Sequence, residues 1–377
     1  MRMKTVVKLG TVVSVAFFCI AVGYYALMRF DKSTHNRDVD FFTLIPQTAA
    51  CVLECDNINA FFNELPMLNY NREIEKLQHS NLFGFLLNVL NEYTTTKGHG
   101  LSSEMSRMAV SFHAPFSSND QVVYWGLGSA DEKMLEDMLQ EYSSSNFLPK
   151  EEKYRGKDIV IYPLGVEEYL ASYSESGYLV VSLQKHLIEQ VIDAKLDETS
   201  LSTDAVFPST SSQKKANHLT IYSRSSVMPF LKSCDGGWSE FDFYTNSDVL
   251  YLTGETYLPE ACDLHNLQEK RTFYEEEKLF FSTEKDSVAL YIDKVYDEEI
   301  YNRTFFNQCL ANLSKEAIYT LVADMEYVSG DSTLLQGCLP DFLLENASLF
   351  SSFVFSAQYS LTDANCLSHI WVFTYKD

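Results

Sequence analysis

The chain has 377 residues, of which 46% are hydrophobic and 14% aromatic, so it can bury a large core and does not have the composition of a disordered protein. Its formal net charge of −23 repels phosphate backbones, which argues against nucleic acid as a partner. We expect most of this negative charge to lie on a solvated surface.

The amino-terminal segment has the pattern of a membrane anchor. Residues 1–8 form a basic start, and residues 9–28 contain no charged side chain. Twenty residues in a helix span roughly 30 Å, the thickness of a bilayer core, so we predict a transmembrane helix over 9–28 with a cytoplasmic start. A cleavable signal peptide is the alternative, but its apolar region is shorter and ends at small residues. Residues 29–40 form a polar spacer.

Residues 41–196 are predicted to form a first α+β domain. Apolar periodicity and turn residues separate its strands from its helices. The predicted strands are 49–55, 108–114, 121–127, 157–162, 169–173 and 178–183, and the predicted helices are 61–65, 74–90, 131–142 and 184–195.

Residues 197–216 are dense in Ser, Thr and charge and are predicted to be a linker to a second α+β domain over 217–377. Both domains open with a strand, a capped helix and a hairpin, so they are possible degenerate copies of one unit. The predicted elements of the second domain are strands 218–222, 238–244, 248–258, 287–292, 317–327, 353–360 and 366–375, and a short helix over 225–232.

Consecutive strands with adjacent hairpins are typical of antiparallel sheets with helices packed on one face. The predicted fold class is therefore α+β, preceded by the transmembrane helix.

Motifs for catalysis or metal binding are mostly missing. The chain contains no glycine-rich phosphate loop and no H-E-x-x-H pair. Ser182 and Lys185 match S-x-x-K, but the companion motifs of that enzyme class are missing, so Ser182 is interpreted as a helix cap. Cys262 and His265 resemble half a metal site without a second pair. We therefore predict no catalytic residue, no cofactor and no metal ligand.

Seven cysteines lie outside the apolar run, which is an odd number without a repeated spacing. Cys51 and Cys55 share a predicted strand and are roughly 13 Å apart at strand rise, too far to bridge. One or two long-range disulfides remain possible in an oxidising compartment.

Aromatic residues are unusually frequent, with 26 Phe, 23 Tyr and 3 Trp. Six of them cluster in one predicted hairpin and form a candidate binding surface, because tyrosine-rich strands can present a ligand or protein interface. Core packing and cross-strand pairing are the competing interpretation. The six residues are Trp238, Phe241, Phe243, Tyr244, Tyr251 and Tyr257.

Several segments resemble a family of uncharacterised bacterial envelope proteins over about residues 40–260. These segments are Leu44-Ile45-Pro46, 48–54, 61–65, Tyr154-Arg155-Gly156 and 177–182. The resemblance implies one amino-terminal span and an extracytoplasmic α+β domain, and it supplies no catalytic residues.

The sequence and the resemblance together predict a membrane-anchored extracytoplasmic protein with a non-catalytic binding or assembly role in the bacterial envelope. Its expected partners are the inner membrane, through the span, and another envelope protein. Two alternatives stay open, namely a membrane-tethered hydrolase of envelope polymers and a small-ligand or lipid-binding module.

Overall fold

A computed structural model describes residues 39–57, 67–69, 107–115, 119–128, 139, 148–164, 168–175, 177–208, 219–262, 270–297, 303–345 and 347–376. Fifteen strands in these ranges form one antiparallel sheet. The strands are β1 (Cys51–Cys55), β2 (Met108–Phe112), β3 (Gln121–Gly126), β4 (Lys150–Tyr154), β5 (Lys157–Pro163), β6 (Tyr169–Glu175), β7 (Tyr178–Ser182), β8 (Leu219–Arg224), β9 (Trp238–Thr245), β10 (Val249–Tyr257), β11 (Thr272–Glu275), β12 (Leu279–Ser282), β13 (Tyr319–Asp324), β14 (Phe353–Asp363) and β15 (Cys366–Tyr375).

The strand order is β11-β12-β13-β14-β15-β10-β9-β8-β1-β2-β3-β7-β6-β5-β4. Strands β1 to β7 make up one half of the sheet, and β8 to β15 make up the other. The halves meet where β1 pairs with β8, with Leu53 opposite Ile221 at the centre of the pair. In each half, three consecutive strands lead away from this junction, and the later strands return toward them from the outer edge.

Three helices of the described residues pack on one face of the sheet, which we call the helix face. Helix α1 (Lys185–Leu196) places Leu187, Ile188, Val191 and Ile192 in a core cluster over the first half. Helices α2 (Lys285–Asp297) and α3 (Phe305–Ala311) pack over Phe280, Val322 and Val354 in the second half. Directly opposite residues of paired strands share a face, and the register places both clusters on the same side.

The opposite face is also covered. Short helices α4 (Met325–Gly330) and α5 (Asp341–Glu345) contribute Met325, Val328 and Leu343 to a large cluster against β9, β10 and β12 to β15. A further cluster around Trp125 and Val181 covers this face in the first half. Burial of apolar side chains on both faces at about 25 cal/mol per Å² is the main stabilising contribution to the fold.

The predicted α+β fold class is wrong. The pairing is antiparallel as expected, but the strands form one large sheet that dominates the described residues, and the helices are few and mostly short. Strands of the two predicted domains join in that single sheet through β1 and β8. Residues 209–216 of the predicted linker lie outside the described residues, and the division into domains stays a prediction.

Two strands predicted in the second half differ from the structure, one over its whole length and one at its end. The segment predicted as a strand over 287–292 lies inside α2, where Val288, Ile292 and Val295 share a buried helical face. The strand predicted over 317–327 ends at Asp324, whose carboxylate accepts the Glu326 N–H and starts α4. The predicted helix over 225–232 is a pair of 3-10 turns.

No helix among the described residues is long and apolar enough to cross a membrane. The predicted start (1–8), span (9–28) and most of the spacer (29–40) lie outside these residues, as do the predicted helices over 61–65 and 74–90 and nearly all of the one over 131–142.

Candidate functional site

Strand alternation divides the six aromatic residues of the candidate surface between the two faces of the sheet. Phe241 and Phe243 point to the opposite face, where Phe241 packs against His369 and Trp371. The other four side chains point to the helix face. Trp238 is fully buried there, so it belongs to the core and not to an accessible surface.

Three residues contact the indole of Trp238. The Arg224 guanidinium lies 4.1 Å from the ring centroid, and Phe207 meets the ring edge-on at 5.0 Å. The indole N–H donates to Asp204 Oδ2 at 3.1 Å. Burial lowers the pKa of Arg224 despite the nearby Asp204. Phe207 and Trp238 belong to the same core cluster as the buried residues of α1.

The three tyrosines of the candidate surface remain partly accessible. Tyr244 and Tyr251 are directly opposite each other on β9 and β10, and their rings stack with centroids 5.0 Å apart. The Tyr257 hydroxyl donates to Glu255 Oε2 at 2.7 Å. Partial burial raises the pKa of both Tyr244 and Tyr257, so these two phenols stay protonated near neutral pH.

Three carboxylates share the same stretch of the helix face with the tyrosines. Glu240 and Glu255 are directly opposite each other, and Asp242 accepts a hydrogen bond from the Thr220 hydroxyl at 3.0 Å. Strands β9, β10 and β15 contain no lysine or arginine. We call this surface the tyrosine–carboxylate face, defined by Tyr244, Tyr251, Tyr257, Glu240, Asp242, Glu255 and the neighbouring Ile370.

These three acidic residues are not singled out by the sequence alone. An acidic chain contains many carboxylates, and only strand register shows which of them share a face. The available signal was the alternation Trp238-x-Glu240-x-Asp242-x-Tyr244, which places the carboxylates on the same side as the tyrosine of that strand.

The tyrosine–carboxylate face is open among the described residues of its three strands. Along β9, β10 and β15, most side chains of the opposite face are buried, whereas those of the tyrosine–carboxylate face are half-buried or exposed. Ile370 is 38% exposed and lies opposite Thr253. Helix α1 covers the sheet on one side of this stretch, and α2 and α3 cover it on the other.

A chain of hydrogen bonds on the opposite face fixes the strands beneath this surface. The hydroxyls of Ser239 and Thr256 are 2.8 Å apart, and Thr256 Oγ1 is 3.1 Å from His369 Nδ1. His369 Nε2 is 3.1 Å from the Glu240 carbonyl oxygen, which can only accept, so Nε2 donates and Nδ1 accepts. Gly254 leaves the necessary space, since a Cβ there would lie 1.8 Å from that carbonyl oxygen.

A disulfide joins the two ends of the β9–β10 hairpin. Cys234 precedes β9 and Cys262 follows β10, and their Cα atoms are 5.3 Å apart, within the usual range for a disulfide. Cys262 is therefore not available as a metal ligand, and its possible companion His265 lies outside the described residues. No group of three or more potential metal ligands is found in the part of the chain that the structure describes.

Two serines have basic neighbours, as an activated nucleophile would. Ser111 Oγ is 2.8 Å from His113 Nε2, but Ser111 is fully buried and also contacts the Tyr124 hydroxyl. Ser182 is fully buried too, and its hydroxyl donates to the Gln121 carbonyl. Lys185 pairs with Glu152 and Glu189 instead. Neither hydroxyl is accessible to a substrate carbonyl, so these contacts are structural.

The chemistry of the tyrosine–carboxylate face suits a cationic polypeptide segment. Carboxylates accept hydrogen bonds from lysine and arginine, and tyrosine rings attract those cations over their faces. Tyrosine also contributes a large contact area at a small cost in conformational entropy, which explains its frequency in protein interfaces.

Comparison with known proteins gives no family, since no family model, no curated protein and no solved structure matches this chain.

Proposed function

We propose that this protein has a non-catalytic binding role in the bacterial envelope, and that its tyrosine–carboxylate face binds a basic segment of a partner protein. The observation that carries the proposal is the grouping of three tyrosines and three carboxylates on one stretch of sheet that is open among the described residues and whose strands contain no lysine or arginine.

The Cys234–Cys262 disulfide supports the extracytoplasmic part of this proposal. Stable disulfides form in oxidising compartments and are rare in reducing cytosol. The apolar run over 9–28 would hold the described residues at the outer surface of the inner membrane, beside the envelope proteins that could supply a basic segment.

A direct binding measurement tests the proposal. The probe is a fluorescein-labelled peptide of twelve residues that alternates Lys or Arg with Ala, titrated with the full chain in detergent and followed by fluorescence anisotropy. We expect saturable binding that weakens as NaCl rises, because part of the attraction is between opposite charges. An acidic peptide of equal length should not bind.

Variants distinguish a specific face from the general attraction of an acidic protein. Glu240→Gln/Glu255→Gln should weaken binding at least fivefold, and Tyr251→Ala should weaken it as well. The matched control is Glu276→Gln/Glu277→Gln, which removes the same charge from two exposed residues in the β11–β12 turn. Equal losses in both double variants, or no saturable binding by the wild type, would refute the proposal.

A further inference from the structure

The two halves of the sheet meet along a short seam between β1 and β8. Five residue pairs make up this seam, from Cys51 opposite Ser223 to Cys55 opposite Leu219. The other neighbour of β1 is β2, and the other neighbour of β8 is β9. Opening the seam would therefore divide the sheet into its two halves without disturbing the strand pairs within either half.

Glu54 makes a side-chain contact across this seam. Its Oε2 accepts a hydrogen bond from the Tyr222 hydroxyl at 3.2 Å, and the two residues lie on β1 and β8 respectively. The Tyr222 side chain is buried, with the rings of Phe42 and Phe207 each 5.2 Å from its centroid. The Glu54 carboxyl is thus hydrogen-bonded to a tyrosine whose position is fixed by the packing of its ring.

The charges around this carboxyl are mostly of its own sign. Asp56 directly follows β1, and Asp40 is the residue before a 3-10 turn over Phe41–Thr43. The Arg107 guanidinium also acts on Glu54, but its Nε is 3.7 Å from Asp56 Oδ1. Burial, and then repulsion from Asp56, raises the pKa of Glu54 to about 7.

Strand β9 presents further negative charge to the same place. Glu240 lies directly opposite Tyr222, and Asp242 lies directly opposite Thr220, the seam partner of Glu54. Loss of the Glu54 proton therefore adds a negative charge close to Asp56 and Asp40, with Glu240 and Asp242 on the same face two strands away. When the seam opens, the ionised carboxylate can move into water.

We infer that Glu54 is a pH-sensitive latch on the seam between the two half-sheets. With its proton, the carboxyl accepts the Tyr222 hydrogen bond without adding charge, and the seam stays paired. When the carboxyl has lost its proton, repulsion from the nearby carboxylates favours the open seam. The loss of hydration that the carboxylate suffers in the closed seam acts in the same direction. The seam consequently loosens as pH rises through neutrality, whether or not a partner occupies the tyrosine–carboxylate face.

Native-state hydrogen exchange tests this inference on the full chain in detergent. Peptides that cover β1 and β8 are followed by mass spectrometry at pH 6 and pH 8, after correction for the intrinsic pH dependence of exchange. We expect the protection of these strands to fall roughly tenfold between the two pH values, as linkage requires for a pKa that changes from 4.5 in the open seam to about 7 in the closed one. Peptides from β14 and β15 should change much less.

Glu54→Gln keeps a carbonyl acceptor for Tyr222 and cannot ionise, so its seam protection should be the same at both pH values. Glu275→Gln is the matched control, because Glu275 also accepts a tyrosine hydroxyl, that of Tyr327, but lies on β11 at the outer edge of the sheet, away from the seam. This control should keep the pH dependence of the wild type.

Tyr222→Phe gives a second readout if Glu54→Gln does not fold. The Tyr222 hydrogen bond lowers the pKa of Glu54, so its removal should move the transition in seam protection to higher pH. The inference is overturned if wild-type protection of β1 and β8 differs by less than twofold between pH 6 and pH 8, or if Glu54→Gln and the wild type lose protection equally.

Discussion

At the scale of single residues, two buried histidines set the response of this fold to acid. His369 bonds through both ring nitrogens inside the sheet, and burial lowers its pKa to about 3. His113 contacts the Ser111 hydroxyl, and burial lowers its pKa to about 4. Both imidazoles are neutral in the folded protein at pH 5, whereas in the unfolded chain they take up protons below about pH 6.5.

The free energy of unfolding should therefore fall as the pH drops from about 6.5. For a histidine that stays neutral in the fold, the loss at pH 5 is about 2 kcal/mol. We expect wild-type stability to decrease by about 2 kcal/mol more than that of His369→Gln between pH 7 and pH 5. Urea denaturation of both proteins at the two pH values measures this difference. The contribution of Glu54 has the opposite sign, but it is the same in both proteins and therefore cancels. Parallel changes in the two proteins would show that His369 does not remain neutral in the fold.

Several residue positions could be predicted from the sequence, and others could not. The tyrosines of the candidate surface were found because their frequency in one hairpin is visible without coordinates. The burial of Trp238 was not, since it depends on Phe207 and Asp204, which lie 31 and 34 residues earlier in the chain. Glu54 also escaped notice, because its importance comes from pairing with β8, more than 160 residues away.

At the scale of elements, the β9–β10 hairpin combines the candidate surface with a covalent closure. The disulfide joins residues 28 apart in sequence and brackets both strands. A cross-link over a loop of this length reduces the entropy of the unfolded chain by an amount worth about 3–4 kcal/mol at 25 °C in the loop-closure model. The hairpin that carries Tyr244, Tyr251 and Glu255 is thereby held together at its base.

Removing this disulfide should lower the stability of the protein by about 3 kcal/mol. The variant is Cys234→Ala/Cys262→Ala, and the measurement is the urea midpoint at constant pH. Cys309→Ala is the control, because Cys309 is a half-buried thiol on α3 that forms no disulfide. If the double variant and the control unfold at the same urea concentration, the cross-link contributes nothing to the stability of the hairpin.

The prediction of elements succeeded for the strand 366–375 and failed for the segment 287–292. The strand predicted over 366–375 matches β15, whose alternating residues are buried on one face. The segment 287–292 was mistaken for a strand because six residues with frequent Val, Leu, Tyr and Ile fit both periods. Its helical nature becomes visible over the full thirteen residues of α2, where the buried positions recur every three to four residues.

At the scale of the whole molecule, one sheet connects elements that the sequence suggested were separate domains. Helices cover the helix face over β3, β6 and β7 at one side and over β12 to β14 at the other. Between these helices, β9, β10 and β15 present a polar and aromatic surface, which is not part of a described core cluster. Antiparallel sheets tolerate such a solvated face, since every other side chain still packs into the core.

The net charge of −23 also acts on the molecule as a whole. Compact folding brings the excess carboxylates closer together than they are in the unfolded chain, and this repulsion is screened as the Debye length falls from about 30 Å at 0.01 M salt to about 10 Å at 0.1 M. We therefore expect the thermal unfolding midpoint to rise by a few degrees between 20 and 200 mM NaCl.

Screening also weakens favourable ion pairs, but these contribute little. Pairs such as Arg155 with Asp193 and Lys153 with Asp158 are exposed, and exposed pairs are typically worth less than 1 kcal/mol each. If the effect is general screening, the thermal unfolding midpoint should rise equally in KCl and in NaCl. Differential scanning calorimetry at constant pH measures both midpoints. A rise in only one salt would indicate a bound cation. A fall in both would show that the ion pairs outweigh the repulsion, so that the excess negative charge lies too far apart to destabilise the fold.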